Sequence, residues 1–393
     1  MLKYKADILF PVNSPPVPDG ILLTDDAGKI HDVLNPAKTD YEITDVLSLN
    51  GFLCPGFINT HAHTELSHLR NQVSPSKGLN SFILEIQDKR NINHEIILEN
   101  IRKSDETLRE EGVVAVTDIC NTGISFNIKA QSKLYYHNLI ELFGSDPKYA
   151  KQICNRASDL LNEAENLGLN ASLTPHSFYA VSSALLKLIL NHAASENSII
   201  SLHHLESQEE ISYFYNKTGT VVSRMDCFNV DISGFKPSGK TPLLTYAHFL
   251  PPYVNKLLVH NTYVTENDVR FAQNELPNVW WCLCPNSNLF IESGLPDIPM
   301  LINNNCKLTV GTDSLASNTR LNILFELFTL QKVFNISTQK LLEMATLNGA
   351  QFMKLDSLLG SFEKNKTPGI VHITNTDTLN IRLTENSEAY RLL

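Results

Sequence analysis

The sequence predicts an α/β protein: a (β/α)8 TIM barrel that carries a small β-domain assembled from both chain ends. Three observations support this. From residue 55 onward, short apolar runs alternate with long helical patterns. Eight such runs can be counted, which is the number a closed barrel requires. Histidines and carboxylates stand at the same end of at least five of them.

In chain order, residues 4–11, 20–24 and 44–49 are the first strand candidates, separated by Pro, Asn, Asp and Gly. The eight apolar runs follow at 51–61, 112–119, 139–143, 169–174, 198–202, 256–259, 279–283 and 307–311. Helical patterns at 83–111, 149–167, 181–194, 265–276 and 321–333 lie between them. After about residue 355 the chain returns to strand-like pieces at 369–373 and 379–383, expected to pair with the N-terminal strands. The expected domains are therefore 1–54 and 355–393 as the two parts of the β-domain, and 55–354 as the catalytic barrel. The stretch 207–254 is long for one connection and contains the turn-rich GFKPSGKTPLL. It reads either as a lid over the barrel mouth or as a passive surface excursion.

Bulk properties narrow the function. The chain has 393 residues, 42% hydrophobic and 19% charged, with a net charge of −10. An acidic chain repels phosphate backbones and anionic lipid, so neither nucleic acid nor membrane is expected as a partner. No run of 18 apolar residues is present. The N-terminal stretch, broken by Asp7 and prolines, does not read as a signal peptide. The seven cysteines include no CxxC pair and sit mostly in apolar runs, as in a reduced cytoplasmic protein. There is no G-x-G-x-x-G, no P-loop and no G-x-S-x-G.

In a TIM barrel the chemistry gathers at the C-terminal strand ends. The first run ends in His61-Ala62-His63. Alternate residues of a strand share a face, so both imidazoles aim at one spot, which suits a divalent metal. The fourth run ends in Thr174-Pro175-His176 and the fifth in His203-His204-Leu205-Glu206. His203 is the preferred ligand, because one helical turn would bring it and Glu206 to the same side; His204 competes for the role. The sixth run ends in His260-Asn261, and the eighth in Gly311-Thr312-Asp313-Ser314. Asp313 reads as a fourth ligand or as a turn-forming residue. His260 reads as a group orienting water or substrate, or as a core histidine. His176 reads as a substrate contact or a helix cap.

Three imidazoles and one carboxylate leave an open coordination position. A Zn or Fe ion there acidifies bound water towards hydroxide near neutral pH. Asp313 and His260 can take or steer the water proton, and Glu206 can deliver a proton to a ring nitrogen or leaving group. The expected reaction is metal-assisted hydrolysis of a C–N or related bond in a small-molecule substrate.

The segments PGFINTHAH, LHHLE, LLVHN, CPNSN and GTDSLASN resemble the amidohydrolase superfamily in its cytosine deaminase-like branch. LIELFGSDP, LHHLESQEE and LLVHNTYVT are most similar to aminodeoxyfutalosine deaminases and adenosine-type nucleoside deaminases. The resemblance covers about residues 1–373. It implies a barrel with a small β-sandwich from both termini and one metal ion at His61, His63, His203 and Asp313. It also implies proton handling by Glu206 and His260 and substrate binding by His176. Many such barrels dimerise, so a homodimer is compatible with it. The sequence departs from the pattern at Lys366-Thr367-Pro368-Gly369-Ile370-Val371, which lacks an acidic residue, so a trimmed β-domain is expected. It departs again at Phe82-Ile83, where relatives often carry Trp-Leu beside the substrate.

The expected activity is hydrolytic release of ammonia from a 6-aminopurine nucleoside, by a metal-bound hydroxide. Alternatives are a deaminase or dechlorinase of another heteroaromatic ring (guanine, cytosine or triazine type) and a binuclear amidase. The binuclear class needs a lysine at strand four, where Thr174-Pro175-His176 has none. A binding module without activity would be expected to have lost ligands, and none is missing here.

Overall fold

The computed structural model describes residues 1–38, 44–196 and 198–393. The N-terminal part forms β1 (Leu2–Leu9), β2 (Val17–Pro18), β3 (Ile21–Thr24), β4 (Ile30–Leu34) and β5 (Leu47–Pro55). The central part forms β6 (Phe57–Ala62), β7 (Val113–Cys120), β8 (Tyr135–Leu142) and β9 (Asn170–Pro175), which pair in that order as a parallel sheet. A second parallel sheet follows in β10 (Ile199–His204), β11 (Asn255–His260), β12 (Val279–Leu283) and β13 (Leu308–Val310). The tail adds β14 (Ile370–Thr374) and β15 (Glu388–Arg391).

Burial explains the two strand types. β7 and β10 are buried at every residue, as strands covered on both faces must be, and they read as near-continuous apolar runs. The edges of the two parallel sheets meet at their C-terminal ends. His203 N–H donates to the His176 carbonyl at 2.8 Å, and Asp313 N–H donates to the His61 carbonyl at 3.0 Å. One apolar cluster draws on both sheets, with Ile58 and Leu139 from the first and Leu257 and Cys282 from the second. Each such side chain contributes about 1.5–3 kcal/mol when fully buried.

The chain ends form one mixed sheet in the order β15-β14-β5-β1-β3-β4, with β2 paired to β1. β14 runs antiparallel to β5, which joins the tail to the N-terminal strands.

Three expectations are corrected. The apolar run 51–61 is two strands in two different sheets, β5 and β6, divided at Gly56. A Cβ at Gly56 would lie 2.3 Å from Val114 Cγ1 and 2.7 Å from the Pro368 carbonyl, so only glycine fits this crossing. The helical pattern 83–111 is also two elements, Gly78–Lys89 and His94–Glu110; the Asn93 side chain caps the second by accepting from Glu95 N–H. Residues 379–383 are not a strand. They lie in a turn closed by hydrogen bonds between Asp377 and Arg382, with Leu379 almost fully exposed, and the sheet is completed instead by β15.

The region 207–254 forms the helices Gln208–Asn216, Thr220–Cys227 and Pro242–Tyr246. Tyr213, Phe214 and Phe235 pack together within it, and Tyr246 stacks on Phe178 outside it. Among the described residues no helix is long and apolar enough to cross a membrane.

Candidate active site

A cavity of about 420 Å³ opens where the parallel strands end. His63, His176, His203, Glu206, His260 and Asp313 all line it, and His61 lies fully buried beneath it. Of the residues singled out at the strand ends, His204 alone is turned away; the others named here are brought to one place.

His61 and His63 sit at the end of β6 with their Nε2 atoms 3.1 Å apart. Asp313 Oδ1 lies 3.8 Å from His61 Nε2 and 3.5 Å from His63 Nε2. His61, His63 and Asp313 form one triad whose ligand atoms lie within 4.8 Å of one another; His61, His203 and His260 form another. The four expected ligands are thus divided between two triads that share His61.

The approach of β13 to β6 depends on Gly311. A Cβ there would lie 2.7 Å from His61 Cβ and 2.8 Å from the His61 carbonyl. Asp313 and His260 both have positive φ, +55° and +74°, in a region that side chains other than glycine rarely occupy. Such backbone is held only where surroundings over-determine it, and here it stands at the last residue of β11 and three residues past the end of β13.

The residues present suit a cation. Burial, followed by the neighbouring imidazoles, drives the pKa of His61 well below its ordinary value, and His203 behaves alike. Neutral imidazoles offer lone pairs. His203 Nδ1 donates to the His176 carbonyl at 3.1 Å, which leaves its Nε2 lone pair free. His260 Nδ1 donates to Asn288 Oδ1 at 2.8 Å, and its Nε2 has no hydrogen-bond partner. The two Nε2 atoms of His61 and His63, 3.1 Å apart, share either the N–H of one imidazole or a cation between them. Burial alone would raise Asp313; the imidazoles of His63 and His260, with the hydroxyls of Ser287 and Ser317 at 2.6 and 2.7 Å, outweigh it and keep the carboxyl ionised.

Glu206 faces the same cavity. Its Oε1 lies 3.6 Å from His260 Nε2. Burial first, then the charge of Asp313, pushes its pKa up to about 8, so it carries a proton at neutral pH. The expected helical turn between His203 and Glu206 is corrected. β10 ends at His204, and Glu206 stands in a loop before the helix Gln208–Asn216, with Leu205 at φ +45°. Glu210 holds that loop, because its carboxyl accepts from the backbone N–H of Leu205, Glu206 and Ser207 at 3.1, 2.8 and 3.4 Å. The motif S-x-x-E at Ser207-Glu210 is a capping signature that could have revealed this clamp.

His204 points away from the cavity, with Nδ1 on Asn261 Oδ1 at 2.9 Å and its ring edge-on to Trp281. His68 places Nε2 3.1 Å from the Arg90 carbonyl. Glu141 was visible at the end of the third run but was given no task. Its Oε1 lies 2.8 Å from His176 Nδ1 and 3.5 Å from His203 Nδ1. Burial would lower His176; Glu141 outweighs it and raises the imidazole. The reciprocal attraction holds Glu141 well below the usual carboxylate range, although burial opposes it.

Behind β6 lies a second polar cluster. Asp118 accepts from Thr64 N–H at 2.9 Å and from Thr64 Oγ1 at 2.5 Å, next to His63. Lys129 Nζ pairs with Asp118 Oδ2 at 2.5 Å and donates to Asn138 Oδ1 at 2.8 Å. The rest of the cavity is apolar, lined by Leu66, Phe82, Ile83, Ile86, Met225 and Phe228. Phe82 and Ile83, the departure noted in the sequence, are part of this wall, as are Arg224, Met225 and Phe228 from the region 207–254.

Residues 52–386 match the amidohydrolase family model. The chain belongs to the amidohydrolase family. It is a hydrolase, of a family whose relatives act on C–N bonds. This amidohydrolase is 28% identical to an adenosine deaminase from Helicobacter pylori over 81% of the chain and 77% of that protein. Its fold superposes on Helicobacter pylori aminofutalosine deaminase in complex with methylthio-coformycin, with TM-score 0.80, 22% identity and coverage of 98% of this chain and 94% of that one. A zinc-bound adenosine deaminase from Xanthomonas campestris gives TM-score 0.74 at 21% identity, covering 95% of this chain and 84% of that one.

Proposed function

We propose that this amidohydrolase is a mononuclear, metal-dependent deaminase of 6-aminopurine nucleosides such as aminodeoxyfutalosine or an adenosine derivative. The observation that carries the reading is the arrangement at the cavity floor. The neutral, buried His61 joins His63 and the ionised Asp313 in one triad and His203 and His260 in another, and a protonated Glu206 faces the same space. The deaminase names of the similar proteins favour the same substrate class. In this reading the eight parallel strands close into one (β/α)8 barrel at 55–354, and the mixed sheet belongs to a β-sandwich built from 1–54 and 355–393.

His61, His63, His203 and Asp313 would hold one Zn or Fe ion, which when bound supplies the Lewis acidity that makes water nucleophilic at neutral pH. His176, raised and anchored by Glu141, stands at the cavity floor to donate to an acceptor on the base. Glu206 gives its proton to the purine ring nitrogen beside the carbon under attack. Of the two protons that water brings, one is received by Asp313 and His260 and passed to the departing amino group, and the second, left on the attacking oxygen, returns to Glu206, so that water and the amine yield the oxo-purine and ammonia. The apolar wall excludes other water.

Ammonia release from a panel of 6-aminopurine nucleosides tests the proposal. Turnover with about one metal ion per chain is expected; no ammonia from any of them sinks it. A metal content near two per chain would instead support the binuclear amidase.

A further inference from the structure

We propose that Arg224 is a specificity residue, pairing with a carboxylate carried on an apolar arm of the substrate. The inference deepens the deaminase reading and rests on it for the identity of the substrate's other end. Arg224 lies on the helix Thr220–Cys227, is only 5% exposed and lines the cavity. Its guanidinium makes no hydrogen bond or ion pair among the described residues, and Nη2 is buried without a partner. Its one contact of note is the Tyr179 ring, 5.3 Å from the guanidinium carbon.

The other two buried cations among the described residues are satisfied. Lys129 pairs with Asp118 at 2.5 Å, and Lys256 donates to the carbonyls of Pro251 and Val254 at 2.6 and 2.7 Å. An unpaired buried charge is costly, so proteins rarely keep one without a counter-ion. At the wall of a cavity, the missing counter-ion is supplied by the ligand. One guanidinium matches one negative charge, and its planar fork matches a carboxylate. A phosphate dianion would bring a second negative charge towards Glu141 and Asp313, which line the same cavity. Met225, Phe228 and Phe82 line it too, so the arm that carries the carboxylate is apolar.

The test uses two adenosines whose 5′ position bears an alkylthio arm, one ending in a carboxylate and the other in a carboxamide. Wild type and Arg224→Met are compared, each as the metal-loaded full chain. In wild type, kcat/KM should favour the carboxylate by about 10- to 100-fold, mainly through KM, and Arg224→Met should bring the ratio near unity. The carboxylate should also raise the wild-type Tm more than the carboxamide does, and Arg224→Met should erase that difference. The free Arg224→Met protein should melt no lower than wild type, because an unpaired buried charge has been removed. A structural arginine would behave oppositely: its loss would lower Tm and reduce kcat/KM for both probes alike, leaving their ratio unchanged. Equal response of wild type to the two probes, or an unchanged carboxylate preference in Arg224→Met, overturns the proposal. If neither probe releases ammonia yet the Tm pattern holds, the deaminase reading fails and the Arg224 site stands.

Discussion

The cavity floor and the cavity wall are built on different principles. Floor side chains are braced from behind: Asn288 bonds His260, Ser287 and Ser317 bond Asp313, Glu141 bonds His176, and Glu210 bonds the backbone of Glu206. Wall side chains such as Phe82, Ile86 and Met225 are held by packing, and the buried Arg224 makes no hydrogen bond or ion pair among the described residues, only the contact with the Tyr179 ring. Geometry that must be accurate to fractions of an ångström is over-determined by hydrogen bonds on rigid strand ends. Recognition surfaces tolerate looser support, and they come from helices and connections that can vary without disturbing the chemistry.

The sharpest way to break the floor is to remove a candidate ligand. His61→Ala or His203→Ala should lose metal on dialysis, and the activity loss should exceed the ~10²–10⁴-fold that a general acid supplies. Metal analysis beside an ammonia assay checks this. Buried charge comes next. Lys129→Met leaves Asp118 without its counter-ion, and breaking such a pair costs about 3–5 kcal/mol. A denaturant series should show this as a lower midpoint. Bracing residues should matter less: Ser317→Ala or Asn288→Ala should reduce metal affinity or activity by about 10–100-fold without unfolding the chain.

The pH profile probes the floor without a mutation of the ligands. Glu206 is raised, so its acid form persists through neutrality. Activity that needs this proton is present below about pH 8 and is lost as pH rises through that value. The alkaline limb should be absent in Glu206→Gln. The wall should give the smallest effect. Phe82→Ala removes apolar contact only, and about 1–3 kcal/mol of binding should appear as a raised KM with kcat nearly kept.

The floor was legible because strand ends print their chemistry in consecutive letters. THAH, LHHLE, LLVHN and GTDS each place a reactive group directly after an apolar run, and strand periodicity fixes where it points. The divided run 51–61 was not legible, since periodicity says nothing about which sheet a strand joins and only the packing at Gly56 decides it. Glu141 went without a role because a buried carboxylate and a bracing one look identical until His176 is placed 2.8 Å away. Arg224 was invisible for a simpler reason: nothing in SRMDC distinguishes a solvated arginine from one enclosed at a cavity wall. The tail misled because 379–383 alternates like a strand, yet Asp377 and Arg382 close it into a turn.

One measurement tests the central claim most directly: ammonia released from a 6-aminopurine nucleoside by metal-loaded wild type and by Glu206→Gln at equal metal content. We expect steady turnover in wild type and a loss of about 10²–10⁴-fold in the variant, with one metal ion retained in each. Equal rates in the two proteins, or no ammonia from wild type across the nucleoside panel, would contradict it.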